Sequence, residues 1–507
     1  MKLLVHRHLT TSVLPIVVAG VGIGLWLWHT PPVGDLAAQT AWAQLVERSG
    51  YVPLFTRWYG GVPVGGYSLV TPGVMALVGV RVAAAFAAAA TAVIGTVLLQ
   101  RARHPLLGAI AFALAATADL YSGRVTFAIG GAIALGAVLA LEHRRTKTTV
   151  ALAVLATVTS PIAGVFLVIP LVVWFLTDSS RRRAATVSSA AIVVVVVLLG
   201  YFFPIGGRQP FAFFVFRPAF EIPVVAALLP VGRRVRLGLL LGALGIALSY
   251  YTTGPMGSNA TRLSILVAIP VFAAVCALPS IWVLAVAVVL GIWPWHQLHD
   301  ELVAARLPSA QHAYTVGLRD RLAADPLIRT QRVEVLDTPS HTAMTTLAAA
   351  GVTLARGWVR QVDEGRNALF YGRSPLTATS YRTWLDDHAV AYVAVPKGTP
   401  FDFGSGAEAA LVAGGLDYLR PVWSDASWTL YAVDAPAPLA TGSAHVVELT
   451  DTGVVLQADA AGVAVVKLRW SRWLEVDGAR VRRGSTDDTV RIELTAPGRY
   501  RLHGAWG

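Results

Sequence analysis

The sequence predicts an α-helical polytopic membrane domain followed by two soluble lobes, the first α/β and the second an antiparallel β-sandwich. Three observations predict it. Of the 507 residues, 55% are hydrophobic and 14% charged, and the mean hydropathy of +0.60 is too high for a soluble chain. Up to Trp295 long apolar segments alternate with short basic groups. Beyond it the pattern changes to amphipathic helices and short strands.

A helical span needs about 20 apolar residues, and Lys and Arg mark the cytoplasmic loops. Eleven candidate spans follow: 11–28, 73–99, 105–118, 125–141, 149–159, 162–177, 185–203, 211–231, 237–252, 263–277 and 280–296. The first follows Lys2 and Arg7 and runs into Trp26, Trp28 and two prolines, with no small-residue cleavage site. It reads as a retained span with the N-terminus inside. Basic groups fall at Arg101 and Arg103, at Arg144, Arg145 and Lys147, at Arg181 to Arg183, and at Arg233, Arg234 and Arg236. If all are cytoplasmic, 149–177 crosses twice and turns at Ser160-Pro161; a single tilted span would put one basic loop outside. The domain therefore covers 1–296, and everything after it is extracytoplasmic, in a multi-pass protein of the plasma membrane.

The net charge is +12 and the pI about 10.1. The positive groups sit in loops between spans, which argues against nucleic acid as a partner. Cys276 is the only cysteine and lies in an apolar segment, so no disulfide framework or cysteine metal site is expected. His296, His299 and Asp300 have helical i, i+3, i+4 spacing, but beside Trp293 and Trp295 they read as interfacial anchors. No metal and no cofactor is expected, and no Ser-His-Asp set, phosphate loop or zincin motif stands out.

The longest polar interval of the apolar half is the loop 30–72, which contains the first acidic residue, Asp35. Residues 35–49 read as a short helix lying on the membrane, with Ala38, Ala41, Trp42 and Leu45 on its apolar face. Asp35 begins it, and helix capping is the structural role open to such a residue. The run from Arg57 through Trp58, Tyr59 and four glycines to Tyr67 suits a loop whose aromatic faces and amides line a sugar or headgroup site. The predicted topology puts this loop on one face with 119–124, the Ser160 turn, 205–221 and 252–262. Charges at membrane depth usually face a cavity or a partner. Asp35, Asp119, Arg124, Arg208, Arg217, Glu221 and Arg262 are therefore candidates for a shared outer pocket, or else headgroup-layer charges.

In the soluble part, 297–435 reads as an α/β domain, with strands at 332–336, 390–395 and 428–433 and a helix at 381–388. Residues 436–507 read as the sandwich, with Asp477-Gly478 as a hairpin turn. The stretch from Arg356 to Asp363, with 367–371 after it, is rich in planar donors and aromatics. It suits either sugar contacts or docking of the soluble part.

Tyr121-Ser-Gly-Arg-Val-Thr-Phe127, Ser160-Pro-Ile-Ala-Gly164, Gly257-Ser-Asn-Ala-Thr-Arg-Leu263 and Ala355-Arg-Gly-Trp358 are similar to motifs of actinobacterial polytopic membrane proteins. The unit built from 380–385 and 391–395, with 473–478, resembles outer domains implicated in lipid-linked sugar transfer. With an N-in first span, a large first outer loop holding an early carboxylate and an outer C-terminal part, the chain resembles the GT-C class of membrane glycosyltransferases. The resemblance implies an inverting transfer of a sugar from a polyprenyl-phosphate donor to a cell-envelope glycan or lipid acceptor. Asp35 matches the base position. Many relatives carry two adjacent acidic residues there, whereas Asp35 is flanked by Gly34 and Leu36; either Asp119 supplies the second carboxylate, or one suffices, or the site has lost activity. Arg262 with Asn259, Arg124 and Arg208 are the expected donor-phosphate contacts by chemistry, and Trp58 and Tyr59 the expected sugar contacts. The competing expectation is a non-catalytic envelope glycan or lipid transporter, or an assembly scaffold.

Overall fold

The computed structural model describes residues 2–506, with side chains from Val13 onward; the side chains of Lys2 and Arg7, on which the N-in expectation partly rests, lie outside the described residues. The chain divides into two compact units. One comprises Met1–Pro31, Tyr67–Tyr201 and Arg208–Val303, the other Pro32–Gly66, Phe202–Gly207 and Ala304–Gly507. The expected boundary at 296 falls inside a continuous helix, Ser280–Ala304, and most of the first loop belongs with the soluble lobes rather than with the helices.

The first unit is helical. Among the described residues, five helices are long and apolar enough to cross a membrane by length and composition: Val80–Leu99, Val125–Glu142, Ser179–Phe202, Gly257–Val275 and Ser280–Ala304; Pro105–Leu120, Thr146–Thr159 and Pro161–Thr177 are apolar and shorter, and the first helix runs Lys2–His29. Small residues bring helices together: Gly22 packs on Thr117 and Gly95 on Phe112. Large apolar residues face outward instead, among them Leu77, Phe86, Val197 and Val288, the inverse of a soluble surface. This is a membrane protein.

Two expectations about these helices are corrected. Span 73–99 is broken at Gly79 (φ +86) into Thr71–Val78 and Val80–Leu99. The sequence also suggests that Arg217-Pro218 and Glu221-Ile-Pro223 interrupt the first half of span 211–231, but Phe213–Leu228 runs through both prolines. Pro223 lacks the N–H that would bond the carbonyl of Ala219, and the Ser264 hydroxyl donates to that carbonyl instead. Between Thr146–Thr159 and Pro161–Thr177, Ser160 is extended (φ −148, ψ 108) and caps the second helix by accepting from the Ala163 amide. Ser160 lies against Gly130 near the start of Val125–Glu142, while Arg181 donates to the carbonyls of Leu141 and Glu142 at its far end. The chain therefore reverses at Ser160. The Arg181 and Arg234 guanidiniums share the Trp174 ring, 4.2 and 4.6 Å from its centroid, which gathers two of the basic groups at one end.

The second unit holds a hairpin, β1 (Leu54–Phe55) and β2 (Val62–Pro63), and two lobes. The α/β lobe has β3 (Arg332–Val335), β4 (Val390–Pro396), β5 (Leu419–Ser424) and β6 (Trp428–Val433) in the order β3-β4-β6-β5. The β3/β4 pair is parallel, so the chain between them must cross over, and the helices Thr342–Ala349, Arg360–Arg366 and Ala378–Asp387 do so. The sandwich comprises β7 (Ala440–Gly442), β8 (Ala444–Leu449), β9 (Gly453–Ala458), β10 (Gly462–Val466), β11 (Leu474–Val476), β12 (Arg480–Arg483), β13 (Val490–Leu494) and β14 (Gly498–Gly504). They form the antiparallel sheets β12-β13-β10-β7 and β11-β14-β9-β8. Asp477-Gly478 is a turn, with Gly478 at φ +73, but not of a hairpin. It joins β11 to β12, which lie in different sheets.

The first loop is the strap of this unit. Leu54 is part of the sandwich core, and Phe55, Trp42 and Trp58 meet edge to face within 5.7 Å. Arg57 pairs with Asp451 of the sandwich at 2.8 Å and donates to Gly351 O and Thr353 of the α/β lobe. The helix Leu36–Ser49 is consequently not a surface helix. It packs into this unit, with Leu36, Gln39 and Ala43 buried as well as the expected apolar face, and the Thr345 hydroxyl donates to Ala37 O.

Candidate functional site

Asp35 stands at the N-cap position of Leu36–Ser49 with helical dihedrals (φ −64, ψ −17), and its side chain makes no cap hydrogen bond. A capping residue normally adopts extended dihedrals and accepts from the first turn; Asp35 does neither. A carboxylate at this end still gains from the helix dipole.

An imidazole packs on Gly34, the residue before Asp35. Gly34 packs on His341, so that a Cβ on the glycine would stand 3.3 Å from Cδ2 and 3.6 Å from Nε2. His341 follows β3, precedes the helix Thr342–Ala349, and adopts a left-handed φ of +54. That conformation is uncommon outside glycine and costs on the order of 1 kcal/mol, so its surroundings must hold it. They do so from two sides. Nδ1 is 2.6 Å from Asp337 Oδ2, and the ring stacks on Trp358 at 3.2 Å between centroids, 11° from parallel. Asp337 Oδ1 accepts from the Thr338 amide. Burial pushes the Asp337 carboxyl up, against the pull of His341.

Asp337 and Trp358 also line a small cleft with Met344, Arg360, Asp402 and Ser405. Arg360 lies 4.8 Å from the Trp358 ring centroid and grips both oxygens of Asp402 at 2.6 Å. Burial opposes the Asp402 charge, but the Arg360 guanidinium overcomes it and holds the carboxyl well below its usual range. Deeper in, Arg356 bridges Glu334 and Glu408 at 2.7 Å each, and Tyr381 donates to Glu408. Burial drives Glu334 and Glu408 up despite that arginine. A fully enclosed pair costs solvation and serves mainly to fix geometry. This hub accounts for much of the donor-rich stretch 356–363: Arg356 is interior framework, not a surface contact.

The expected sugar contacts Trp58 and Tyr59 are corrected. Trp58 has no exposed surface and Tyr59 almost none. The Tyr59 hydroxyl donates to Gly357 O and accepts from the Val359 amide. Their rings pack the interior of the strap because the glycine turn, with Tyr59, Gly60 and Gly61 all at positive φ, folds them inward.

The other expected residues belong to the helical unit. Asp119 is in the last turn of Pro105–Leu120 and accepts from the Ser122 hydroxyl at 3.1 Å. Arg124 is at the N-cap position of Val125–Glu142, and Arg208 is exposed. Asn259 Oδ1 accepts from Arg262 Nη2 at 2.7 Å, and the buried Arg262 guanidinium lies 4.5 Å from the Phe127 ring centroid. Phe127 also meets Phe166. The motifs 257–263 and 121–127 thus meet through Arg262 and Phe127, and Ser160 meets Gly130, three residues beyond Phe127. Arg217 and Glu221 do not join them; they pair with each other at 2.7 Å and are exposed.

Sequence reasoning missed the Asp337 and His341 pair. The signal was present as an acid and a histidine four residues apart, around Thr-Pro-Ser, just after a strand.

No protein-family profile matches the chain, and no curated protein does. Among solved structures it is similar to the arabinosyltransferase EmbB from Mycobacterium smegmatis, at 12% identity and a TM-score of 0.34, over 96% of this chain and 63% of that one. The chain thus spans less than two thirds of that protein's length, and a likeness this loose lends no weight to any activity.

Proposed function

We propose that the chain is a membrane glycosyltransferase, moving a sugar from a polyprenyl-phosphate donor to a hydroxyl of a cell-envelope glycan or lipid at the outer face. Asp35 is the general base. As the acceptor oxygen attacks the anomeric carbon with inversion, the carboxylate takes its proton and the bond to the lipid phosphate breaks. Arg262, presented by Asn259 and Phe127, supplies positive charge to the phosphate leaving group, with Arg124 and Arg208 as further donors. Asp119 is the second carboxylate.

The observation that carries this reading is Asp35 itself. It begins a packed helix without serving as its cap, and it follows a glycine that packs on a buried imidazole paired with a carboxylate. A non-catalytic scaffold is favoured by one fact, that much of the first loop is spent on joining the two soluble lobes. Asp35→Asn, assayed in membranes supplied with a labelled polyprenyl-phosphate sugar, separates the two. The enzyme reading expects transfer to fall at least a hundredfold with the protein still folded; undiminished transfer sinks it.

A further inference from the structure

We propose that an aromatic cluster at one end of the β-sandwich, built on Trp473, Trp506 and Tyr51, rests in the headgroup layer of the membrane and holds the sandwich to the phospholipid surface. The inference does not depend on any transferase activity.

Position along the chain carries it first. The helix Arg182–Phe202 has 21 residues, roughly 30 Å of length, which matches the hydrocarbon core of a bilayer. It starts among the basic residues Arg181 to Arg183, and its outward side chains stay apolar through Val193, Val194, Val197 and Leu198 to Tyr201. Phe202 therefore arrives at the interface opposite those arginines. The last carbonyls of a helix lack intrahelical partners, and the Trp473 indole donates to that of Phe202 at 2.8 Å.

The strand pairing gathers the other rings. Leu474 of β11 pairs with Gly504 of β14, and the Ala505 amide donates to Trp473 O at 2.8 Å, so Trp473 and Trp506 leave the same end of the sheet. Phe203 stacks on Trp473 at 5.2 Å, 14° from parallel, and Trp506 meets Trp473 edge to face at 5.4 Å. Trp506 also stacks on Tyr51 at 6.1 Å and donates its indole N–H to the Tyr51 carbonyl. The Arg472 guanidinium lies 5.4 Å from the Phe202 ring centroid.

Exposure and continuity identify the occupant. Trp506 is 41% exposed, and Tyr51 and Phe202 are 38% exposed each, so three large rings reach the surface in one connected cluster. A connected exposed apolar patch marks an interaction surface. Tryptophan and tyrosine beside an arginine suit the boundary between headgroups and acyl chains, where ring bodies meet hydrocarbon while polar edges and the cation meet water and phosphate. Phe202 continues the outward apolar row of its helix, so the patch begins where the lipid-facing surface ends. That continuity selects the phospholipid interface over a water-soluble partner.

The test places a bimane probe on cysteines introduced into the full-length protein in phosphatidylcholine nanodiscs; protein carrying only the buried Cys276 is the blank. Glu475 is exposed, two residues beyond Trp473, and replacing it leaves the cluster intact. Asp459 is exposed at the far end of the same sheet, since Ala458 pairs with Gly498. Quenching by a lipid with a nitroxide near its headgroup should be about threefold stronger for Glu475→Cys than for Asp459→Cys, and quenching by iodide weaker. Adding Trp506→Ser and Tyr51→Ser should bring the lipid quenching of Glu475→Cys down to that of Asp459→Cys. Equal lipid quenching at the two positions overturns the proposal, and this first comparison decides even if the aromatic variant misfolds. Undiminished lipid quenching in the folded aromatic variant also overturns it, because the cluster then holds nothing. A shift of the Glu475→Cys emission by a soluble oligosaccharide, without quenching by the lipid, makes the cluster a carbohydrate platform and overturns it as well.

Discussion

Gly34 packs against the edge of the His341 imidazole, with 3.3 Å between a Cβ at that glycine and Cδ2, and the same 3.3 Å to the Pro339 carbonyl. Such contacts are tighter than a methyl group tolerates without a shift of a few tenths of an ångström. The backbone carbonyl is the harder neighbour, so the helix start carrying Asp35 would be displaced. Gly34→Ala should therefore cost about 1 kcal/mol of stability but reduce transfer roughly tenfold or more, because a small misplacement of reacting groups is expensive. Unfolding midpoint and turnover measured on the same preparation check this. Equal losses in Gly34→Ala and in a Gly406→Ala control would contradict it, since Gly406 has no neighbour within 4 Å and an ordinary φ.

Arg57 ties the strap to both lobes, through Asp451 at 2.8 Å on one side and Gly351 and Thr353 on the other. Arg48 adds a second guanidinium to Asp451, also at 2.8 Å. Burial raises the Asp451 carboxyl, but the two arginines together bring it below its usual range. Removing Arg57 leaves Asp451 with Arg48 alone and takes the donor from the Gly351 carbonyl and Thr353, at a cost of about 2 kcal/mol. Arg57→Ala should lower the unfolding midpoint of the soluble unit sharply, whereas Arg48→Ala, with its more exposed side chain, should cost less than 1 kcal/mol. Differential scanning of the two variants decides it.

How much of this was legible in the sequence depends on how local the signal is. The helices of the apolar half and strands such as β8, β13 and β6 follow from hydrophobic period alone. The reversal at Ser160 follows from the basic groups on either side of 149–177, with Ser-Pro marking the place of the turn. The fate of Trp58 and Tyr59 was not legible. Aromatics in a glycine-rich loop read the same whether they line a site or fill a core, and only the distant partners Gly357 and Val359 decide between them. The β11/β12 turn misled for a related reason, since an Asp-Gly turn specifies a reversal but not which sheet receives the second strand. Asp35 was found because it is the first carboxylate of an apolar chain, while His341, which packs on Gly34, lies more than 300 residues away in sequence. No local pattern joins them.

His388 provides a pH-dependent test of the soluble unit. Its ring stacks on Trp384 at 4.4 Å, and its carbonyl accepts from Arg332 Nη1 at 2.8 Å. Burial, with Arg332 and Lys467 adding to it, lowers the imidazole to about 4, despite the bond to Trp384 O. The unfolded chain takes up its proton near 6.5. Between those values the unfolded state binds more protons, so stability falls as pH drops from about 6.5 toward 4. The group contributes a loss on the order of 2 kcal/mol by pH 4.5, allowing for its partial exposure. His388→Gln should flatten that part of the stability profile while leaving the slope below pH 4, where the carboxylates titrate, in place. Parallel profiles for variant and wild type between pH 7 and 4.5 would exclude the effect.

Arg262 tests the helical unit independently of the strap. Its guanidinium is buried, 4.5 Å from the Phe127 ring centroid and anchored by Asn259 Oδ1. Stacking on an aromatic face orients a planar cation without neutralising it, a geometry that lysine cannot reproduce. If the guanidinium meets the donor phosphate, Arg262→Lys should keep the positive charge yet raise KM for the lipid-linked donor about tenfold, and Arg262→Ala should lower kcat as well. Phe127→Leu, which removes only the stacking face, should fall between wild type and Arg262→Lys. A purely structural arginine predicts a different order, with stability and activity falling together across all three variants. Donor KM and unfolding midpoint measured side by side distinguish the two, because a phosphate contact raises KM without a matching loss of stability.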